Sequence, residues 1–200
     1  MGKIICVTGF MAAGKNAVCS LLESSGFVSL DADKAIHEAI NNSKDEIIKA
    51  FEKEAASLKV NLLNSDNTIN RRALGQIVFS KPELLSKQES IVYPKLDIIA
   101  KDFIKKNSNT ILNATVLFKT PSLMSLCSKI VFVKAPFIVR LYRAIKRDKN
   151  LSVSQILKRF KAQKNLLENY KATGVPVICI NNATSKKSLQ KKLARISESI

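Results

Sequence analysis

The stretch from Gly9 through Gly14, Lys15 and Asn16 limits the fold of this chain more than any other, because of what flanks it. A short apolar run, Ile4-Ile5-Cys6-Val7, precedes it, and an apolar-periodic run from Ala17 to Leu22 follows. Strand, glycine loop and helix in that order make a phosphate-binding turn. Glycines at 9 and 14 let the backbone aim its N–H groups inward, the following helix adds its positive N-terminal end, and Lys15 supplies a mobile cation for the outer phosphates. A strand-to-helix turn that binds nothing would need neither the lysine nor this spacing. The pattern asks for Ser or Thr after the lysine, and this chain has Asn16 there, so the hydroxyl that ordinarily meets Mg²⁺ is missing. The loop therefore points to a nucleoside triphosphate without choosing the reaction.

A chain of 200 residues can bury a core unaided, as one domain or as one domain with a helical insertion. The first apolar run is too short for a secretory segment and no later run is long enough to span a bilayer, so a cytoplasmic, membrane-free protein is expected. Cys6, Cys19, Cys127 and Cys179 are widely separated and His37 is the sole histidine, which argues against a structural zinc and for cysteines packed as small core residues. The net charge of +17 favours anionic partners. Its lysines are spread over most expected helices and the chain has no Trp, so phosphorylated small molecules are expected rather than nucleic acid.

After the first helix, Gly26 and then Phe27-Val28-Ser29-Leu30 give a second strand that ends in Asp31-Ala32-Asp33. In parallel sheets the carboxyl ends of strands form the ligand crevice, so both carboxylates are expected near the phosphate loop. Each also reads as an ordinary helix cap or surface acid. Helix is expected over 34–57 with a break near Asn41-Asn42-Ser43, then from an Asn70 cap to Phe79, then over 82–107, kinked or interrupted at Pro94. Strands follow at 110–112 and 130–133. Pro136 opens a helix carrying Arg140, Arg143, Lys146 and Arg147, Ser152 and Gln155 box the next helix past Gln163, and a last strand at 175–180 precedes a helix striped by Leu189, Leu193 and Ile196. Strands alternating with helices mean a parallel sheet covered on both faces.

These elements in this order resemble the dephospho-coenzyme A kinase family, P-loop kinases of the nucleoside-monophosphate-kinase architecture. The resemblance runs through Val7-Thr8-Gly9 to Lys15, Asp31 to His37, Asn70 to Phe79, Tyr93-Pro94, Val116 to Phe118, Ala135-Pro136 with Arg140, Arg143 and Arg147, and Arg159 with Gln163. It implies a three-layer α/β/α P-loop fold with a five-stranded parallel sheet: core 1–33, 108–136 and 175–200, a helical substrate-binding insertion at about 34–107, and a lid at about 137–165. It also implies ATP-dependent transfer of a phosphoryl group to the 3′-hydroxyl of dephospho-coenzyme A. On that reading Thr8, Gly9, Ala12, Ala13, Gly14, Lys15, Asn16 and Ala17 hold ATP, and Asn16 meets Mg²⁺ through water. Asp33 orients and deprotonates the hydroxyl, while Lys15, Arg143 and Arg147 neutralise the transferring group. The partners expected are ATP and dephospho-coenzyme A, with the monomer as the favoured state.

The chain departs from the family at several points. Phe10 and Ala12 stand where glycines are usual, and an alanine fits there if its φ stays negative. Asn70, Tyr93 and Lys119 replace an expected Asp, His and Glu. A basic run such as that of the Arg140 helix is also a common solvated surface. Two other functions stay open: a non-catalytic nucleotide-binding protein that engages a partner, and another small-molecule kinase of the same fold.

Overall fold

The computed structural model describes residues 2–183 and 186–197, with the side chains of 186 and 195–197 outside that description. It divides into two compact units, Met1–Ala32 with Asp102–Ile200, and Asp33–Lys101.

The first unit is built on five parallel strands: β1 (Ile4–Gly9), β2 (Val28–Asp31), β3 (Thr110–Asn113), β4 (Lys129–Lys134) and β5 (Val177–Asn181). Their order is β2-β3-β1-β4-β5. Ile4 pairs with Thr110 and Ile5 with Lys129, so β1 lies at the centre between strands made long after it. Every carboxyl end therefore lies on one edge. Helix α1 (Lys15–Glu23) and α10 (Lys186–Ser197) cover one face, where Val18, Cys19 and Leu22 meet Ile5, Val7, Val131, Val133, Leu189 and Leu193. Ile196, the third residue of the expected stripe, has its side chain outside the described residues.

Alternation along a strand turns Cys6 and Phe132 the other way. There a 3-10 turn (Leu117–Lys119), α6 (Pro121–Met124) and α9 (Leu166–Lys171) form the second layer, and the buried Tyr170 ring lies edge-on to Phe118 at 5.3 Å and to Phe132 at 6.2 Å. Cys6, Cys19 and Cys127 are buried as expected, but Cys179 is exposed, because β5 is an edge strand. Helices α7 (Phe137–Arg147) and α8 (Val153–Ala162) follow β4. The Ser152–Gln155 box is present, but it caps a helix that stops at Ala162, leaving Gln163 as the C-cap.

The second unit is helical: most of α2 (Ala32–Asn42), then α3 (Lys44–Ser57), α4 (Arg71–Val78) and most of α5 (Pro82–Lys106). The expected break falls at Ser43. The Asn70 side chain accepts the Ala73 N–H at 3.1 Å, capping α4 as expected. Ile47 and Phe51 of α3 and Leu74 and Ile77 of α4 are buried. Helix α5 does not stop at Pro94: it is one continuous helix of 25 residues. Interior proline is tolerated where packing on the rest of a long helix outweighs one lost backbone bond, and Val92, Leu96 and Ala100 on either side of Pro94 are buried.

Candidate active site

The carboxyl ends of β1 and β3 and the start of α1 bring most of the expected residues together. Gly9 leaves β1 with φ 152°, and a Cβ there would lie 2.2 Å from the Val133 carbonyl oxygen. Gly14 is the N-cap of α1 in the left-handed region (φ 96°, ψ 38°), and no side chain caps that helix. The positive N-terminal end of α1 thus meets the loop without a side-chain cap, the end that favours an anion. Ala12 also lies at positive φ, 60°, so the condition under which an alanine fits there without strain is not met. Its methyl and Met11 pack against Ala144, Ile156 and Phe160, and that packing holds the strained backbone.

Lys15 Nζ donates to Thr115 Oγ1 at 2.6 Å, just past the end of β3. Thr8 is fully buried, and its hydroxyl donates to the Thr115 carbonyl at 3.4 Å. Tyr170 braces the same segment, its hydroxyl accepting the Leu117 N–H at 2.9 Å and donating to the Thr115 carbonyl at 3.2 Å. Burial holds that phenol protonated far above its ordinary range.

Asn16 is the second residue of α1, beside β3. Its Oδ1 accepts from Asn113 Nδ2 at 3.1 Å, and the buried Asn113 Oδ1 has no hydrogen-bond partner. Asp31 lies opposite Asn113 in the β2–β3 register. Mg²⁺ prefers to keep several of its waters, and two carboxamide oxygens at this corner, one of them orphaned, fit a metal-bound water. Among the described residues no group of three or more His, Cys, Asp or Glu forms a cage for a bare ion.

The basic helix α7 sorts its arginines. Arg143 Nη1 donates to the Asn182 carbonyl at 3.1 Å and to the Ala13 carbonyl at 3.5 Å, so it rests on the phosphate loop. Arg147 instead makes a fork to its neighbour Asp148 at 2.9 and 2.8 Å and holds that carboxyl below its usual range. Arg140 is stacked between Phe10 at 4.8 Å and Phe160 at 4.6 Å, and burial lowers its pKa. Phe10, which replaces a glycine, is thus one plate of a cation–π sandwich. Gln163 Oε1 accepts the Met11 N–H at 2.6 Å. Asp33 is the second residue of α2, exposed, and two positions beyond the end of β2. His37 is also exposed on α2.

Thr115, Asn113 and Asn182 escape a motif reading. Each follows or ends a strand at its carboxyl end, and that place in the sheet is the one signal that marks them.

The sequence model of one family, described as dephospho-CoA kinase, matches residues 3–187. A dephospho-CoA kinase of Treponema denticola is 35% identical over 196 residues, covering 95% of this chain and 86% of that one. Among solved structures, a Thermus thermophilus protein superposes with a TM-score of 0.80 at 26% identity, over 100% of this chain and 98% of its own. The dephospho-CoA kinase from Campylobacter jejuni gives 0.70 at 25%, over 99% and 96%.

Proposed function

Because this chain belongs to the dephospho-CoA kinase family, we propose that its phosphate loop, Lys15, Asp33 and the arginines of α7 carry out that family's reaction, the ATP-dependent phosphorylation of dephospho-CoA. One observation supports the assignment above the others. A left-handed Gly14 opens an uncapped helix N-terminus beside Lys15, with Arg143 already resting on the same loop. Amides, ammonium and guanidinium then converge where a triphosphate would place its charge.

In this reading the ATP phosphates occupy the loop from Gly9 to Ala17, and Lys15 exchanges its Thr115 hydroxyl for phosphate oxygens. Arg143 adds charge to the transferring group, and Arg147 joins it by leaving Asp148. Asp33 accepts the proton of the 3′-hydroxyl of the acceptor ribose and aims that oxygen in line. Mg²⁺, when bound, would neutralise charge on the phosphates. Asn16 and Asn113 would hold the ion through its waters, by their carboxamide oxygens. The helical second unit supplies the acceptor's binding surface, the protein works as a monomer in the cytoplasm, and nucleic acid is not a partner. No helix among the described residues is long and apolar enough to cross a membrane.

The test is a coupled assay with ATP, Mg²⁺ and dephospho-CoA, with ATP binding followed by calorimetry. Phosphorylated product that disappears in Asp33→Asn supports the reading. ATP binding with no product would favour the non-catalytic alternative, for which the neutral Asn16–Asn113 pair is the motive. Product from nucleosides or nucleotides alone would favour a different acceptor.

A further inference from the structure

We propose that Asn182 is a positioning residue for ATP, tying the phosphate loop and Arg143 to the end of the sheet in one geometry; the inference rests on the kinase reading above. Asn182 is the first residue past β5 and is 7% exposed. Three of its polar groups serve three different elements. Its backbone N–H donates to the carbonyl of Lys134, the last residue of β4, at 2.7 Å. Its side-chain Nδ2 donates to the Ala13 carbonyl at 2.9 Å, a buried bond between residues 169 positions apart. Its carbonyl accepts from Arg143 Nη1 at 3.1 Å.

The consequences for the loop are specific. Ala13 and Gly14 precede Lys15, so the Ala13 carbonyl sets how the next peptide N–H groups face. With Asn182 and Arg143 both on that carbonyl, the peptide is held with its oxygen toward β5 and α7. The amide also explains the glycine at 14. A Cβ there would lie 2.2 Å from Asn182 Nδ2, nearer than real Cβ atoms come to any neighbour. Gly14 and Asn182 thus form a matched pair, the absent side chain of one making room for the amide of the other. Arg143 donates its shorter hydrogen bond to the Asn182 carbonyl, so the cation proposed to serve the transferring phosphoryl group is placed by the residue that shapes the loop.

The experiment compares Asn182→Ala, Asn182→Asp and the same changes combined with Arg143→Ala. ATP binding is read by calorimetry without acceptor, and KM for both substrates is read in the coupled assay. Aspartate keeps the size of asparagine but cannot donate to Ala13, so it tests the hydrogen bond even if the alanine variant folds poorly. Losing one buried donor to the loop should weaken ATP binding and raise its KM about tenfold in either variant, with the KM for dephospho-CoA unchanged. Arg143→Ala should cost less in the Asn182→Ala background than in the wild type, because the two side chains meet on the Ala13 carbonyl. A residue that only stabilised the fold would lower the amount of active protein without shifting one substrate's KM or coupling to Arg143. ATP affinity within about twofold of wild type in the folded Asp variant would overturn the proposal, as would equal rises in both KM values or strictly additive losses with Arg143. Wild-type protein that binds ATP but yields no product would refute the kinase reading, and the calorimetric comparison would then decide the role of Asn182 by itself.

Discussion

At position 16 the carboxamide oxygen accepts the buried Asn113 amide at 3.1 Å, and on the proposed reading it also faces a water of the metal. Asn16→Ser should therefore raise the rate at limiting Mg²⁺ and lower stability by about 1–3 kcal/mol, since Asn113 Nδ2 loses its acceptor. Initial rates across an Mg²⁺ titration, with urea unfolding in parallel, separate the two effects; an unchanged Mg²⁺ dependence means the residue-16 oxygen never meets the ion's shell. Ala12 gives a second residue-level expectation. A left-handed alanine costs about 1–2 kcal/mol relative to the right-handed region, and Ala12→Gly would recover part of this while freeing the unfolded chain by about 0.4–1 kcal/mol. The net change in unfolding free energy should stay under about 1 kcal/mol. The sequence did not reveal this φ because Met11 and Ala12 are held by Ala144, Ile156 and Phe160, far away in the chain.

Elements with strong punctuation were legible before any coordinates. Asn70 and the Ser152–Gln155 box start helices where side-chain oxygens satisfy orphan N–H groups, and Ser43 separates α2 from α3. The 3-10 turn at Leu117–Lys119, α6 and α9 were not, since three to six residues hold too little of a hydrophobic period to register. Pro94 shows a related limit: local chemistry argues for a kink or a break, while burial of Val92 and Leu96 carries the helix through without the break. Because that proline still lacks a donor, Pro94→Ala should stabilise the protein by about 1–3 kcal/mol, seen as a higher thermal midpoint. At α7 and α8 the expected lid is docked on the loop through Phe10, Arg140 and Phe160. Phe10→Gly removes one plate of that sandwich and should speed backbone hydrogen exchange in both helices while leaving the exchange of α3 and α4 as it was.

Across the whole molecule, the parallel sheet and the loop at its carboxyl edge were the most readable features, because buried parallel strands are nearly continuous apolar runs such as Ile130–Val133. The division of labour among arginines was not readable, since Arg140, Arg143 and Arg147 carry the same charge and differ only in what lies opposite them. The cysteines give a global test. Burial pushes the Cys19 and Cys127 thiols up to about 12 and raises Cys6 as well, whereas an unfolded thiol loses its proton near about 8.5. Above that pH the unfolded state therefore binds fewer protons than the folded state. The contribution is complete below about pH 8.5 and is lost as pH climbs toward 12. Cys19→Ala should flatten the decline in that window, measured by urea unfolding at stepped pH. In native protein the exposed Cys179 should react first with a thiol reagent, and the other three only on unfolding.

The central position of β1 has a consequence for biosynthesis. Its hydrogen-bonding neighbours begin at Thr110 and Lys129, so the first strand to leave the ribosome waits on the order of ten seconds for a partner. Throughout that interval the helical stretch between them can complete its own folding, while Ile4 to Val7 stays a sticky, unpaired segment that a chaperone would have reason to shield.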